Sequence, residues 1–487
     1  QAYNCWGTTN TYGMACSEPD MHAGSPAPRN INRRAYKASY NRPLATRAYR
    51  AINMPFDAEY PMVRWLERNG YDVSYWSGGD ADRFADRLAS RGHKVYLSVG
   101  HDEYWSGKQR EAVTKARDAG MNLAFFSGNE VFWRTRWEPD ANGTPHRTLV
   151  VYKETNHVAK LDPIPNEWTG TFRDGRDVNP LGAMPENELT GTIFTVNAWR
   201  NDPLIVPSRY GAHRFWRNTS IAVLGSDEKA VLVQGLLGHE WDEDVDNGHR
   251  PPGLMHLSST TIEDVQYLID EGVTFDTGSA THHLTLYRHE SGALVFGAGT
   301  CHWAWGLDGH HDLVGGLDLR MGQNCYSLRV GVDLLRPKGD RDIQQATLNL
   351  LIDMHVHPST PQPELHLTDA SADQLAPSLG NVVAECGVLM GSSWDDGGGV
   401  VAAVEVSLDE GSTWHPTELD SKTGSWWYVC TEARDSRVDN AACGPGQVFA
   451  RAADDSGNLT PGISREVNAA CTHEHADCNM EVYKKKQ

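Results

Sequence analysis

The feature that most constrains this chain is a regular alternation of helix-patterned and strand-patterned segments between residues 56 and 135. Residues 56–69 carry apolar side chains at helical spacing (Met62, Val63, Leu66) and stop at Asn69-Gly70, a pairing that closes helices. Residues 71–76 are rich in β-formers and are broken by Gly78-Gly79-Asp80. A helix over 82–90 ends at Gly92, a largely apolar strand follows over 93–99, a helix over 106–119 ends at Gly120, and 121–126 is again an apolar strand. Short apolar strands separated by helices predict an α/β fold, a parallel sheet covered on both faces.

Beyond this stretch the pattern changes. Residues 146–335 have shorter strands and denser turns, a β-rich insertion, and residues 344–354 read as a helix that closes the first domain. Residues 361–377 have the Pro, Ser, Thr and Asp content of a linker. Residues 378–487 hold short strands at regular spacing, which predicts an all-β sandwich. The expected domains are therefore a catalytic unit over 1–360, the linker, and the sandwich. At 487 residues the chain is long enough for both cores.

Charge narrows the function. Asp and Glu outnumber Lys and Arg 64 to 44, a net charge of −20, which argues against nucleic-acid binding because phosphate contact relies on basic residues. No apolar run approaches the length of a membrane span. Nine cysteines form four sequence-local pairs, Cys5/Cys16, Cys301/Cys325, Cys430/Cys443 and Cys471/Cys478, with Cys386 left over. That pattern suits disulfides and a secreted or cell-envelope location, with the cytoplasm as the alternative.

Ligands of an open parallel sheet bind at the carboxyl ends of its strands. The strand over 94–99 runs into Gly100-His101-Asp102-Glu103-Tyr104-Trp105, and the next into Ser127-Gly128-Asn129-Glu130, so His101, Glu103 and Asn129 are expected at one edge. Gly238-His239-Glu240-Trp241-Asp242 follows another strand and presents two carboxylates, and residues 297–306 follow a further strand in the same style. The chain has no phosphate-cradling GxxxxGK motif and no GxSxG nucleophile elbow.

Taken in order, these segments resemble the large (β) subunit of N,N-dimethylformamidase and the proteins that share its catalytic domain. The matching pieces are residues 1–7 (QAYNCWG), 40–43 (YNRP), 100–105 (GHDEYW), 128–134 (GNEVFWR), 151–154 (VYKE), 185–190 (PENELT), 238–242 (GHEWD) and 299–306 (GTCHWAWG). The resemblance implies a glutamine-amidotransferase-like α/β core without that group's nucleophilic cysteine. It also implies hydrolysis of a small amide at a mononuclear Fe(III) site held by two tyrosines and one glutamate. On this chain the resemblance makes Glu103 the carboxylate ligand and Tyr3 and Tyr40 the phenolate ligands, with Tyr12 in reserve. It places His101 and Asn129 as substrate-orienting groups and Lys153 and Glu240 beside the substrate. Hard phenolate and carboxylate oxygens suit a ferric ion, which can polarise an amide carbonyl and acidify a bound water. The implied partners are a small amide, and a companion subunit or a second copy of the chain.

The sandwich segments 404–407, 411–414 and 451–458 resemble immunoglobulin-like domains. The alternative to an amidohydrolase is a non-catalytic exported binding or assembly protein whose aromatic loops make the contact. A third reading places a different metal on the histidine pairs.

Overall fold

The computed structural model describes residues 11, 34–43, 55–156, 160–198, 200–314, 328–332, 338–385, 387–430 and 446–467. The chain divides into two compact units, one formed by Gln1–Val245 and His249–Ser371, the other by Asp246–Gly248 and Ala372–Gln487.

In the first unit the helical pattern is realised where it is densest. A π-helical turn, Pro55–Glu59, leads into the helix Tyr60–Arg68, which buries Met62, Trp65 and Leu66. The helix Gly107–Asp118 starts at Ser106, whose hydroxyl accepts the Gln109 amide hydrogen bond, and buries Ala112, Val113 and Ala116. These pack with Trp105, Leu123 and Phe125 in one apolar cluster. Full burial of each large side chain in such a cluster contributes about 1.5–3 kcal/mol. The helix Arg341–Asp353 is capped by Asp340 and buries all of its side chains from Ile343 to Ile352.

The sheets correct the expected fold class. The first unit is predominantly β and is built from several small sheets rather than one parallel α/β core of the glutamine-amidotransferase type. Its largest sheet has five strands in the order Met255–His256, Thr285–Arg288, Leu294–Gly297, Asn122–Ser127 and Val95–Gly100. Parallel pairing is confined to the last three of these, and the other neighbours run antiparallel. Two four-stranded sheets stand beside it, Lys37–Ser39/Thr148–Val150/Trp133–Glu138/Tyr104–Ser106 and Glu240–Glu243/Ile193–Asn197/Thr260–Leu268/Phe275–His282. The physical reason is visible at residues 71–76. Only Tyr71 of that segment is buried, Asp72, Ser74 and Tyr75 face solvent, and it forms no strand, so it cannot supply the fully covered parallel neighbour the alternation called for.

The second unit contains two four-stranded antiparallel sheets. Leu379, Leu389 and Trp426 from one, and Val404, Val406, Val448 and Ala450 from the other, form a shared core. The strand Val401–Ser407 is buried along its whole length. Glu405, on that strand, is accommodated by its cross-strand partner Arg451, whose Nε donates to it at 2.6 Å.

Candidate functional site

Three parallel strands deliver one set of side chains to one edge. Val95–Gly100 and Asn122–Ser127 are in register with Gly100 opposite Ser127, and Leu294–Gly297 is in register on the other side with Gly297 opposite Phe125. Their carboxyl ends therefore present His101, Asn129 and the Gly299–His302 loop together. The turns that follow need unusual backbone. Gly100 has φ +86°, and a Cβ there would lie 3.0 Å from that of Ala58. At Gly128 a Cβ would fall 2.8 Å from Thr300 Cα and 2.9 Å from Cys301 N, so only glycine lets the two loops touch. Asn129, Val131 and Lys153 are held at φ +48°, +54° and +51°. For a β-branched residue such as Val131 this is a costly conformation, and such strain gathers at functional sites.

A fourth strand completes the edge. Glu240–Glu243 joins it through the Asp242 amide, which donates to Gly299 O at 2.9 Å, and through a bridge between Trp241 and Thr300. His101 Nε2 lies 2.6 Å from Glu240 Oε2 and 3.8 Å from Glu103 Oε2. Asn129 Nδ2 donates to the same Glu240 oxygen at 3.0 Å, and the Asn129 amide donates to Asp242 Oδ1 at 2.7 Å. Asn129 Oδ1 is buried without a hydrogen-bond partner among the described residues, an acceptor still to be matched.

The electrostatics of this group follow from burial and proximity. Burial opposes charge on His101, yet Glu240, by field and hydrogen bond, with Glu103 and Asp242 behind it, raises its pKa to about 9. Burial pushes Glu240 up, and His101, His239 and Asn129 more than reverse this, to about 2. The two side chains therefore stand as imidazolium and carboxylate. Asp242 goes the other way. Burial raises it to about 7, against the hydrogen bonds from Asn129 and Thr192.

The structure thus brings His101, Glu103, Asn129 and Glu240 together. Lys153 is held against two aromatic rings. Its ammonium donates to the Tyr104 hydroxyl at 2.7 Å and lies 4.4 Å over the Trp133 ring. Tyr40 packs edge-on against Trp137, and burial raises its pKa to about 12, with Arg42 opposing and Asp102 reinforcing the rise. Tyr3 and Tyr12 lie outside the described residues. The expected Cys301/Cys325 disulfide is corrected. Cys301 is a buried thiol that forms no disulfide, and its Sγ faces the carbonyls of Gly128 and Glu240, so it is part of the site wall. The other three expected pairs each have at least one member outside the described residues.

Several neighbours escaped the sequence reading. His239 lies between His101, which it meets edge-on at 5.9 Å between ring centroids, and His302, tilted to it at 5.8 Å, and His302 lies flat on Trp305 at 4.0 Å. Ligand atoms of His101, His239 and Glu240 lie within 4.8 Å of one another, close enough to share a cation. His239 adjoins Glu240 in sequence, a signal that weighing only the carboxylates passed over. Arg34 and Tyr104 meet Lys153 from distant parts of the chain, Arg34 at its carbonyl and Tyr104 at its ammonium, and nothing in local spacing announces that meeting.

A family model described as N,N-dimethylformamidase beta subunit-like, C-terminal, matches residues 1–314. The matched stretch contains every residue of the site described above and ends before residues 372–487 of the second unit, whose expected immunoglobulin-like identity it leaves without support. No curated protein matches the chain.

Proposed function

Because the chain belongs to the N,N-dimethylformamidase beta subunit-like family, we propose that it hydrolyses the C–N bond of a small amide to a carboxylate and an amine. The observation that carries this is the buried His101–Glu240 pair, 2.6 Å apart, with Asn129 bonded to the same carboxylate oxygen and Glu103 beside the imidazole. Such a pair holds an acid and a proton acceptor in fixed geometry, which is what amide hydrolysis requires.

The iron in this reading rests on the donor set. Glu103 is buried next to His101, and Asp102, the residue between them, acts on Tyr40 through its field, so a carboxylate and a phenol share one neighbourhood. Both are hard oxygen donors suited to a ferric ion. Glu103 and Tyr40, with Tyr3, would hold it, and the ion would supply carbonyl polarisation and a more acidic water.

The chain's own groups then divide the proton work. Both hydrogen bonds to Glu240 fall on Oε2, which leaves Oε1 to receive the proton of the attacking water as the new C–O bond forms. The imidazolium of His101 gives its proton to the nitrogen as the C–N bond breaks. Asn129 Oδ1, the unmatched acceptor, suits the amide N–H and would orient it.

The test is hydrolysis of formamides by the full chain, with metal analysis. Glu240→Gln and His101→Ala should lower kcat by about 10²–10⁴, and Glu103→Ala should remove bound iron and its tyrosinate colour. A colourless, metal-free protein whose amide turnover is indifferent to all three changes would sink the proposal.

A further inference from the structure

Beside this centre lies a cation that the reaction as proposed does not use. Arg34 is 5% exposed. Its Nη2 donates to the carbonyl of Tyr152 and, at 3.3 Å, to that of Lys153. Its Nε and Nη1 are buried and have no hydrogen-bond partner among the described residues. The guanidinium carbon lies 5.5 Å from the centre of the Tyr36 ring, which is itself stacked on Tyr152. Burial works against its charge, and the groups that favour the charge are two phenols, Tyr36 and Tyr104, not carboxylates.

A second cation meets it at Tyr104. The ammonium of Lys153 donates to the Tyr104 hydroxyl, and Tyr104 directly follows Glu103, whose carboxylate is 3.8 Å from His101. A buried guanidinium with two nitrogens unmatched, and with no acidic side chain among its interactions with the described residues, is expensive unless an anion completes it. The guanidinium, rigid and weakly hydrated, is the side chain best suited to holding a carboxylate out of water.

We propose that Arg34, with Lys153 alongside, binds a carboxylate carried by the substrate, so that the amide hydrolysed here is an acidic one, of the N-acyl amino acid type, rather than a neutral formamide. This rests on the amide-hydrolase reading and extends it to substrate class. The alternative for such a cation, stabilising the oxyanion of the reaction, would act equally on acidic and neutral amides.

The experiment compares N-formylglycine with the neutral N-propylformamide on the full chain, by turnover and, independently, by calorimetric titration. The wild type should favour N-formylglycine in both kcat/KM and Kd, and Arg34→Gln should reduce that preference roughly ten- to hundredfold, the range for a buried charge-assisted hydrogen bond. Arg34→Lys, which keeps the charge and loses the planar fork, should retain part of it. No preference in the wild type, or a preference that survives Arg34→Gln, overturns the proposal. Because the titration needs no turnover, binding of N-formylglycine that depends on Arg34 supports it even where neither compound is hydrolysed, an outcome that would instead defeat the amide-hydrolase reading.

Discussion

Asp242 shows how much of the site is fixed by one buried acid. It accepts from the Asn129 amide at 2.7 Å and from Thr192 at 3.2 Å, at 1% exposure. With its pKa raised to about 7 by burial, the folded state holds the proton more tightly than the unfolded chain does. The acid therefore costs nothing below its unfolded pKa, and the penalty grows as pH rises until it is complete above about 7. Asp242→Asn keeps a hydrogen-bonding side chain and removes the titration. Its melting temperature relative to wild type should climb between pH 4 and pH 7, by about 1.4 kcal/mol of stability per pH unit. A difference that is flat with pH would show that Asp242 does not titrate this way. None of this was readable from sequence, where Asp242 was only the second carboxylate of a pair. Its partner Asn129 is 113 residues away, and no local pattern reports an encounter of that length.

At the level of elements, the short-range chemistry was the legible part. The helical run that begins at Ser106, Gly120 after it, and the apolar segments on either side located a helix and two strands, and from them the edge that carries His101 and Asn129. What could not be read was the pairing: Leu294–Gly297 joins Asn122–Ser127 in parallel from far along the chain, and the antiparallel strands beyond it, Thr285–Arg288 and Met255–His256, turn the expected α/β core into a mixed sheet. Periodicity reports burial, not the partner that causes it. The Ser106 cap also has a function beyond ending a helix. Its hydroxyl donates to Asp82, whose other oxygen meets His146 Nε2 at 2.8 Å. Ser106→Ala should cost about 1–2 kcal/mol in urea unfolding, the upper part of the range for a cap, whereas Ser106→Thr should restore most of it. A loss below a few tenths would mean the helix start is held by other means.

For the whole molecule, the net charge of −20 acquires a consequence once the substrate is taken to be acidic. A strongly negative protein repels a negative substrate at a distance, and salt screens that repulsion while leaving a buried guanidinium contact nearly intact. The kcat/KM for N-formylglycine should therefore rise, roughly two- to fivefold between about 10 and 150 mM salt, while that for a neutral formamide stays level. A fall with salt would place the recognising cation at the surface instead. The family match covers the first unit up to residue 314, so these expectations concern that unit, and the second unit's core of Val404, Val406, Trp426 and their neighbours stands without a functional assignment. The site also carries its own clock. Cys301 is 1% exposed and lies between the loop after one parallel strand and the strand that brings Glu240. A thiol in that position can be alkylated only when those two segments part, so the rate at which a small maleimide modifies the peptide containing Cys301 measures how often this edge opens. A substrate-like acid that bridges the edge should slow this modification, giving the protein a chemical readout of occupancy that needs neither colour nor turnover.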